Sequence, residues 1–274
     1  MIANNRPIAY ILASTDHGTM IVNRYDYYGD EARGYFGVGF ELLSLSSFQG
    51  KEIEFALWIL DKRRERFGDG VFALDCGANI GVHSIEWGKH TNGWGELLAI
   101  EAQERVFYAL AGNIAINNCF NVRAIWGALG ENSGLIDIPA IDYCKPSSFG
   151  SFEIKNAQNN EFIGQKIDWS AENCIETTLF TIDQLNLDRL DFIKMDIEGM
   201  ENEALRGGFE TIKKHRPYLF IEKIKADQDQ MRSIFDQLDY VHVDLGLSFF
   251  SIPKEEMEII DSLNLFFNST SKSS

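Results

Sequence analysis

Four acidic side chains come at or just after the ends of short apolar runs, where they could hold a cation or accept a proton. Asp75 and Glu101 follow two such runs, and Asp196 and Glu222 follow two later ones. Continuous apolar runs of this length are typical of strands that are buried on both faces of a parallel sheet. Because ligands of such sheets bind beyond the carboxyl ends of the strands, we expect the four carboxylates to face one cleft.

The turn after the first run, Asp75-Cys76-Gly77-Ala78-Asn79-Ile80-Gly81, predicts a ligand-binding loop. Gly77 and Gly81 let a ligand approach the backbone at the start of a helix. The spacing differs from the Gly-x-Gly-x-x-Gly of dinucleotide-binding proteins, and the loop lacks the Lys-Ser/Thr of a phosphate-binding loop. Asp75 opposes a pyrophosphate but suits a cationic ligand.

Glu101 stands 20 residues after Gly81, at the end of the second predicted strand. A carboxylate at this position can accept hydrogen bonds from both hydroxyls of a ribose. A loop that rejects phosphate, together with a ribose carboxylate, describes a nucleoside that carries positive charge. S-adenosylmethionine, a sulfonium with an ammonium group, fits that description. The alternative interpretation is a tight turn followed by an exposed glutamate.

The stretch Asp196-Ile197-Glu198-Gly199 lies between a predicted strand and a predicted helix. Its carboxylates would stabilise the N-terminus of that helix if they had no other role. We take Asp196 as the first candidate for a general base, with Glu222 and His17 as further candidates, and Glu198 as a partner for the ammonium group of the cofactor. His83 is a further candidate for the base, although its place in the helix after the glycine loop favours a packing or hydrogen-bonding role.

A metal site is a weaker hypothesis. Asp196 and Glu222 are oxygen ligands that could share Mg²⁺. The sequence offers no third ligand at a convincing position, so we assign no metal.

The elements that must position these residues alternate between strand and helix from residue 71 onwards, which favours a parallel sheet with helices on both faces. Residues 131–175 interrupt the alternation and are interpreted as an inserted strand and a long loop of the kind that forms lids. Residues 1–70 form an N-terminal extension, with an aromatic segment at 25–36 and a helix at 52–67, that could cap a substrate. The predicted elements are strands at 71–74, 97–100, 122–129, 191–197 and 218–224, helices at 80–89, 104–117, 201–215 and 228–238, and a closing hairpin at 240–252.

Four stretches together identify a family resemblance: LDCGANIGVH at 74–83, IEAQE at 100–104, IKMDIEGME at 193–201 and RPYLFIE at 216–222. In this order they resemble S-adenosylmethionine-dependent methyltransferases of the FkbM type. Weaker likeness to a subgroup extends over HGTM at 17–20 and FGS at 149–151.

The resemblance implies a Rossmann-like α/β fold with the seven-stranded sheet of class I methyltransferases, S-adenosyl-L-methionine as cofactor, and methyl transfer to a hydroxyl oxygen. Family substrates include sugar and polyketide hydroxyls, so the expected acceptor is a small molecule or a glycan. The residues expected to bind the cofactor are Asp75, Gly77, Ala78, Asn79, Gly81, Glu101, Ala102 and Glu198.

The composition of the chain limits which other partners it can have. The 274 residues carry a formal net charge of −16, and so acidic a surface repels phosphate backbones, which argues against a nucleic-acid partner. No apolar stretch approaches the roughly 18 residues that a membrane span needs. Four widely spaced cysteines indicate neither a zinc site nor a redox motif, and favour a reducing, cytoplasmic setting. A homo-oligomer is left open.

Three other functions compete with this interpretation. A nicotinamide-dependent oxidoreductase would need the Gly-x-Gly-x-x-Gly turn that the sequence lacks. A non-catalytic protein that binds the cofactor for stability alone would not need an acidic edge. An N-methyltransferase is disfavoured because no Asn-Pro-Pro-Tyr-like motif is present.

Overall fold

The computed structural model describes residues 7–30, 32 and 34–270, which form a mixed α/β fold. The strands are β1 (Tyr10–Thr15), β2 (Gly18–Asn23), β3 (Tyr28–Asp30), β4 (Gly34–Phe36), β5 (Val71–Cys76), β6 (Gly95–Glu101), β7 (Val122–Trp126), β8 (Ala128–Leu129), β9 (Gly134–Pro139), β10 (Cys174–Phe180), β11 (Phe192–Met195), β12 (Tyr218–Glu222), β13 (Tyr240–Leu245) and β14 (Ser248–Pro253). The helices are α1 (Val38–Leu45), α2 (Gly50–Phe67), α3 (Val82–His90), α4 (Glu104–Ile116), α5 (Glu201–Gly207), α6 (Phe209–His215), α7 (Gln228–Gln237) and α8 (Ile259–Thr270).

Seven strands form the central sheet in the order β13-β14-β12-β11-β5-β6-β7. The pairs from β12 to β7 are parallel, and β14 runs antiparallel to both of its neighbours. The chain order reverses at β5, which lies between β6 and β11, so the switch point where ligands bind in such sheets falls there. The predicted fold class is confirmed.

Apolar side chains cover both faces of this sheet because successive residues of a strand point to opposite sides. Ala73 packs in a core with α2, α3, α4 and α8. Its neighbour Leu74 packs in a second core with α5, α6 and α7. Helices therefore lie on both faces, as predicted.

Two predicted elements are each divided in two in the structure. The predicted strand at 122–129 ends at Trp126 and resumes as β8, which pairs with β10 outside the central sheet. The predicted helix at 201–215 divides into α5 and α6. At Gly207 a Cβ atom would lie 2.0 Å from the carbonyl oxygen of Gly130, so the backbone at the end of α5 is in direct contact with the backbone after β8.

The N-terminal extension and the insertion lie over the carboxyl edge of the sheet. The β1-β2 hairpin contacts α4, where Asn113 donates to the carbonyl oxygen of Ile21 at 3.2 Å. In the insertion, β9 pairs with β10, and Phe149, Phe152 and Ile163 form a small core with Met200. No helix of the described residues is both long and apolar enough to cross a membrane.

Candidate functional site

A cleft with a cavity of about 240 Å³ opens at the carboxyl ends of β5, β6, β11 and β12. The extension, the insertion and the loops after these strands all contribute to its wall. Of the residues predicted from sequence, the structure brings the following into this wall: Asp75, Gly77, Ala78, Asn79, Glu101, Ala102, Asp196, Glu198 and Glu222.

The loop after β5 is held against the loop after β11 by close backbone contact. Gly77 has a φ of 78°, in the left-handed region, and a Cβ atom there would lie 1.8 Å from the carbonyl oxygen of Asp196. Only glycine fits this contact. The amide of Asp196 in turn donates to the carbonyl oxygen of Cys76 at 3.0 Å, so the cofactor loop and the acidic loop form one unit.

Glu101 is positioned by the backbone on both sides of it. One carboxylate oxygen accepts the Asn79 amide at 2.9 Å and the other accepts the Gln103 amide at 2.8 Å. The side chain is buried, and burial raises the pKa of Glu101 to about 7. The Ala102 amide also hydrogen-bonds this carboxylate. A carboxylate has about four acceptor sites, so it can still accept a ribose hydroxyl beside the three amides.

Three carboxylates meet at the ends of β11 and β12. Asp196, Glu198 and Glu222 each offer an oxygen within 4.8 Å of the others. Burial and the charge of neighbouring Asp196 raise the pKa of Glu222 to about 8, and the same causes raise the pKa of Glu198. A set of like charges this close favours retention of a proton.

Two lysines compensate part of this charge. The ammonium of Lys194 lies 3.3 Å from Asp196, and that of Lys225 lies 2.7 Å from Glu198. Glu198 is the third carboxylate that sequence reasoning missed for Mg²⁺, so the trio has oxygen ligands for a metal. The two ammonium groups compete for the same oxygens.

Apart from Oε2 of Glu198, which lies 2.7 Å from the ammonium of Lys225, two buried side-chain atoms of the cleft wall have no hydrogen-bond partner within the described part of the chain. They are Oδ1 of Asp75 and Nδ1 of His83. Buried polar atoms are normally paired, so both atoms fit a bound group with N–H donors. This agrees with the positive charge of S-adenosylmethionine.

The structure does not place His17 or Gly81 in the cleft wall. The Nε2 atom of His17 accepts the amide of Phe48 at 3.0 Å, and its Nδ1 lies 3.5 Å from Glu86. His17 therefore supports the loop between α1 and α2 and is not available as a base. Gly81, with a φ of 91°, instead ends the loop at the N-terminus of α3.

The cleft also contains residues that sequence reasoning missed. Lys194 stands in an otherwise apolar strand, and a lone lysine in such a run was a usable signal. Gln49, Phe48 and the 148–152 segment are brought in only by tertiary packing. His83, interpreted as a packing residue, also lies in the wall.

A comparison with protein-family models matches the methyltransferase FkbM domain over residues 75–242, more than half of the chain. This chain belongs to the FkbM methyltransferase family. The matched domain is a methyltransferase domain, whose cofactor is S-adenosylmethionine. Among curated proteins, none matches.

Solved structures with similar folds include three methyltransferases. The first, methyltransferase FkbM from Methylobacillus flagellatus KT, is 21% identical with a TM-score of 0.46, and the match covers 67% of this chain and 43% of that one. This chain thus spans less than half the length of that relative. A putative caffeoyl-CoA O-methyltransferase from Staphylococcus aureus is 12% identical, with coverages of 78% and 88% and a TM-score of 0.45. A SAM-dependent methyltransferase from Agrobacterium tumefaciens is 11% identical, with coverages of 92% and 72% and a TM-score of 0.43.

For this FkbM methyltransferase, the cleft residues fit the cofactor. The Gly77 turn lets a ligand come close to the backbone. Glu101 can accept a hydrogen bond from the ribose, and the unpaired Asp75 oxygen can accept one from a cationic donor. These residues would hold S-adenosylmethionine, which would supply a methyl group when bound.

Proposed function

We propose that this FkbM methyltransferase methylates a hydroxyl oxygen of a small molecule or glycan. The observation that carries the proposal is the trio Asp196, Glu198 and Glu222, which shares the cleft with the cofactor loop and holds at least one carboxylate of raised pKa. A hydroxyl must lose its proton during methylation, whereas the neutral amine of an N-methylation is already nucleophilic. A carboxylate of raised pKa in the cleft can take that proton, so its presence favours methylation of an oxygen atom.

Glu222 is the general base in this proposal. A base works best when its pKa lies near the working pH, and Glu222, at about 8, meets that condition. Asp196, the first candidate from sequence, is instead engaged by the buried ammonium of Lys194 at 3.3 Å. In this proposal Asp196 and Lys194 are positioning residues and do not take the hydroxyl proton.

When bound, S-adenosylmethionine supplies the methyl group and leaves as a neutral thioether. The hydroxyl oxygen contributes the electron pair of the new C–O bond, and Glu222 takes the hydroxyl proton. Alignment of two reactants is worth about 7–11 kcal/mol, and a general base about 10²–10⁴-fold in rate. Since that factor equals about 3–5 kcal/mol, positioning by the cleft outweighs the base.

Residues 1–70 act as the acceptor cap. Phe36 and Phe48 line the same cleft as the acidic trio. Tyr28 contacts both Phe36 and Phe162 of the insertion edge-to-face, with ring centroids 6.0 and 5.5 Å apart. An aromatic wall suits the C–H faces of a sugar or the apolar parts of a polyketide. No ligand that is itself strongly anionic suits this end of the cleft.

The test compares methyl transfer to hydroxyl and amine acceptors at pH 6 to 9, with release of S-adenosylhomocysteine as the readout. We expect turnover only with hydroxyl acceptors, and a rate that rises with pH to a plateau above about 8, because Glu222 is protonated below its pKa and cannot act as a base. Glu222→Gln should lower kcat about 10²–10⁴-fold and abolish the rise while cofactor affinity is kept. The exposed Glu210→Gln serves as the matched control.

Three outcomes contradict the proposal. Methylation of amine acceptors and of no hydroxyl acceptor would show that the methyl group goes to nitrogen. Unchanged turnover in Glu222→Gln would remove Glu222 as the base. Loss of activity in excess chelator, with recovery on Mg²⁺, would assign the trio to a metal instead.

A further inference from the structure

Lys225, in the loop between β12 and α7, joins three separate parts of the cleft wall. Its ammonium group donates to the carbonyl oxygen of Ser151 at 2.8 Å, and it lies 2.9 Å from Glu161 and 2.7 Å from Glu198. Ser151 and Glu161 belong to the insertion, whereas Glu198 belongs to the acidic trio. An ammonium group has three N–H donors, so these three oxygen partners match the number that it can serve.

The contact between Lys225 and Glu198 is shielded from water and held by a fixed turn. Their side chains are 14% and 18% exposed, and removing one partner of such a pair is costly. Glu198 has a left-handed φ of 55°, which persists only where the surroundings impose it. The carboxylate of Glu201 imposes it by accepting the amides of Ile197 at 2.9 Å and Gly199 at 3.0 Å.

The 148–152 segment is the part of the insertion that Lys225 holds in place. Four of its five residues line the cleft. A Cβ atom at Gly150 would lie 3.1 Å from Nδ2 of Asn79 in the cofactor loop, and the carbonyl oxygen of the next residue, Ser151, accepts the hydrogen bond from Lys225. The segment therefore extends from the cofactor loop to the acidic trio, and an acceptor that brings its hydroxyl to the trio lies beside it.

The same ammonium group separates the members of the trio. Lys225 is paired with Glu198, and Lys194 is paired with Asp196. Among the residues that the structure describes, Glu222 has no ion pair, although its oxygen lies within 4.8 Å of those of the other two. Glu222 is thus the member of the trio that no lysine engages.

We propose that Lys225 is a positioning residue for the acceptor: it fixes the 148–152 segment against the acidic trio and keeps Glu198 away from the hydroxyl, so that the acceptor meets Glu222. The inference rests on the proposed methylation of a hydroxyl and adds a residue that places the acceptor. Because its donors are matched by oxygens of the chain, Lys225 acts through these partners and not by binding the acceptor itself.

The experiment compares Lys225→Met with Lys225→Arg, using the best hydroxyl acceptor of the panel. In Lys225→Met the KM of the acceptor should rise about 10- to 100-fold, the effect of losing hydrogen bonds to a charged group. The value of kcat should change less than KM, and affinity for S-adenosylhomocysteine, measured by calorimetry, should stay within about twofold of the wild type. Lys225→Arg keeps the charge and the donors and should retain most of the acceptor affinity.

Hydrogen exchange tests the contact without any acceptor. In Lys225→Met the amides of the 148–152 segment should exchange about tenfold faster or more, while those of the central sheet stay protected. Lys155→Met, which removes an ion pair between the insertion and Glu203 of α5, is the matched control and should change neither the exchange of this segment nor the KM.

Melting of the ligand-free variants checks folding. If Lys225→Met does not fold, Glu161→Gln keeps the test valid, because it removes one partner at a half-exposed position. Its KM for the acceptor should rise about two- to fivefold.

Wild-type exchange together with a wild-type KM in Lys225→Met would overturn the inference. A loss of S-adenosylhomocysteine affinity as large as the rise in KM would also overturn it, since the contact would then support the whole cleft. These outcomes are separable from that of the proposed function. If the segment exchanges faster and the KM of an amine acceptor rises, O-methylation fails and the role of Lys225 stands. If hydroxyls are methylated and Lys225→Met behaves as the wild type, the reverse holds.

Discussion

The carboxylates of the cleft differ in what surrounds each of them, and that difference separates their roles. Glu101 is held by two backbone amides, which favours a fixed hydrogen-bonding position. Glu222 faces other acids and keeps its proton more readily. In the proposed function, one residue type therefore serves as a ribose acceptor at one strand end and as a base at another.

Glu101→Gln should weaken binding of S-adenosylhomocysteine about tenfold or more. The amide NH₂ of glutamine would face either the Asn79 or the Gln103 amide, so one hydrogen bond is lost together with a ribose acceptor. Calorimetric titration measures the change. Glu104→Gln, in the first turn of α4 and bound to the exposed Tyr108, is the matched control. Equal affinity in the two variants would show that the ribose is bound elsewhere.

At the scale of elements, one buried arginine joins α2 to the sheet. Arg63 lies 3.3 Å from Asp191, just before β11, and 3.3 Å from Glu256, just after β14. The Tyr218 hydroxyl of β12 donates to the same Glu256 at 2.6 Å. This network positions α2, whose N-terminal end carries Gln49 into the cleft.

Arg63→Met should lower the free energy of unfolding by about 1.5–3 kcal/mol, because the buried carboxylates of Asp191 and Glu256 then keep only the more exposed Arg189 and Arg66 as cations. Denaturant titration measures the change. Arg64→Met, which removes an exposed pair with Asp69, should cost only about 0–1 kcal/mol. A similar cost for both substitutions would mean that the network contributes little to stability.

At the scale of the whole molecule, a single carboxylate ties the extension to the insertion. Asp26 is buried, accepts the Gly39 amide with one oxygen and the Phe149 amide with the other, each at 3.0 Å. Burial raises the pKa of Asp26 to about 6, and the hydrogen bonds from those two amides act in the opposite direction. The two sides of the cleft wall are thus joined at one residue.

Asp26→Ala should loosen both segments together, because two buried amides lose their acceptor at about 1–3 kcal/mol each. Hydrogen exchange should speed up in residues 34–48 and 145–165 while the central sheet stays protected. Asp16→Ala, at an exposed position of the β1-β2 turn, is the control. Faster exchange confined to one segment would show that they are not coupled through Asp26.

The sequence predicted the central architecture well because parallel strands that are buried on both faces leave a local pattern. The runs that became β5, β6, β11 and β12 are apolar over their whole length or nearly so, and each helix between them repeats apolar residues at helical spacing. The sequence pattern did not predict that the strand at 122–129 and the helix at 201–215 are each divided in two. The first division depends on pairing with β10 and the second on the contact of Gly207 with Gly130, and both partners are distant in the chain.

From the sequence alone came the fold class, the family and the cofactor, because strand ends, turn glycines and acidic residues lie within short stretches of chain. Only the tertiary structure decided which side chains share the cleft. It placed Glu198 beside Glu222, removed His17 to a supporting position, and brought Gln49 against His83. The physical reason is that contacts between distant segments are set by packing, which no local spacing encodes.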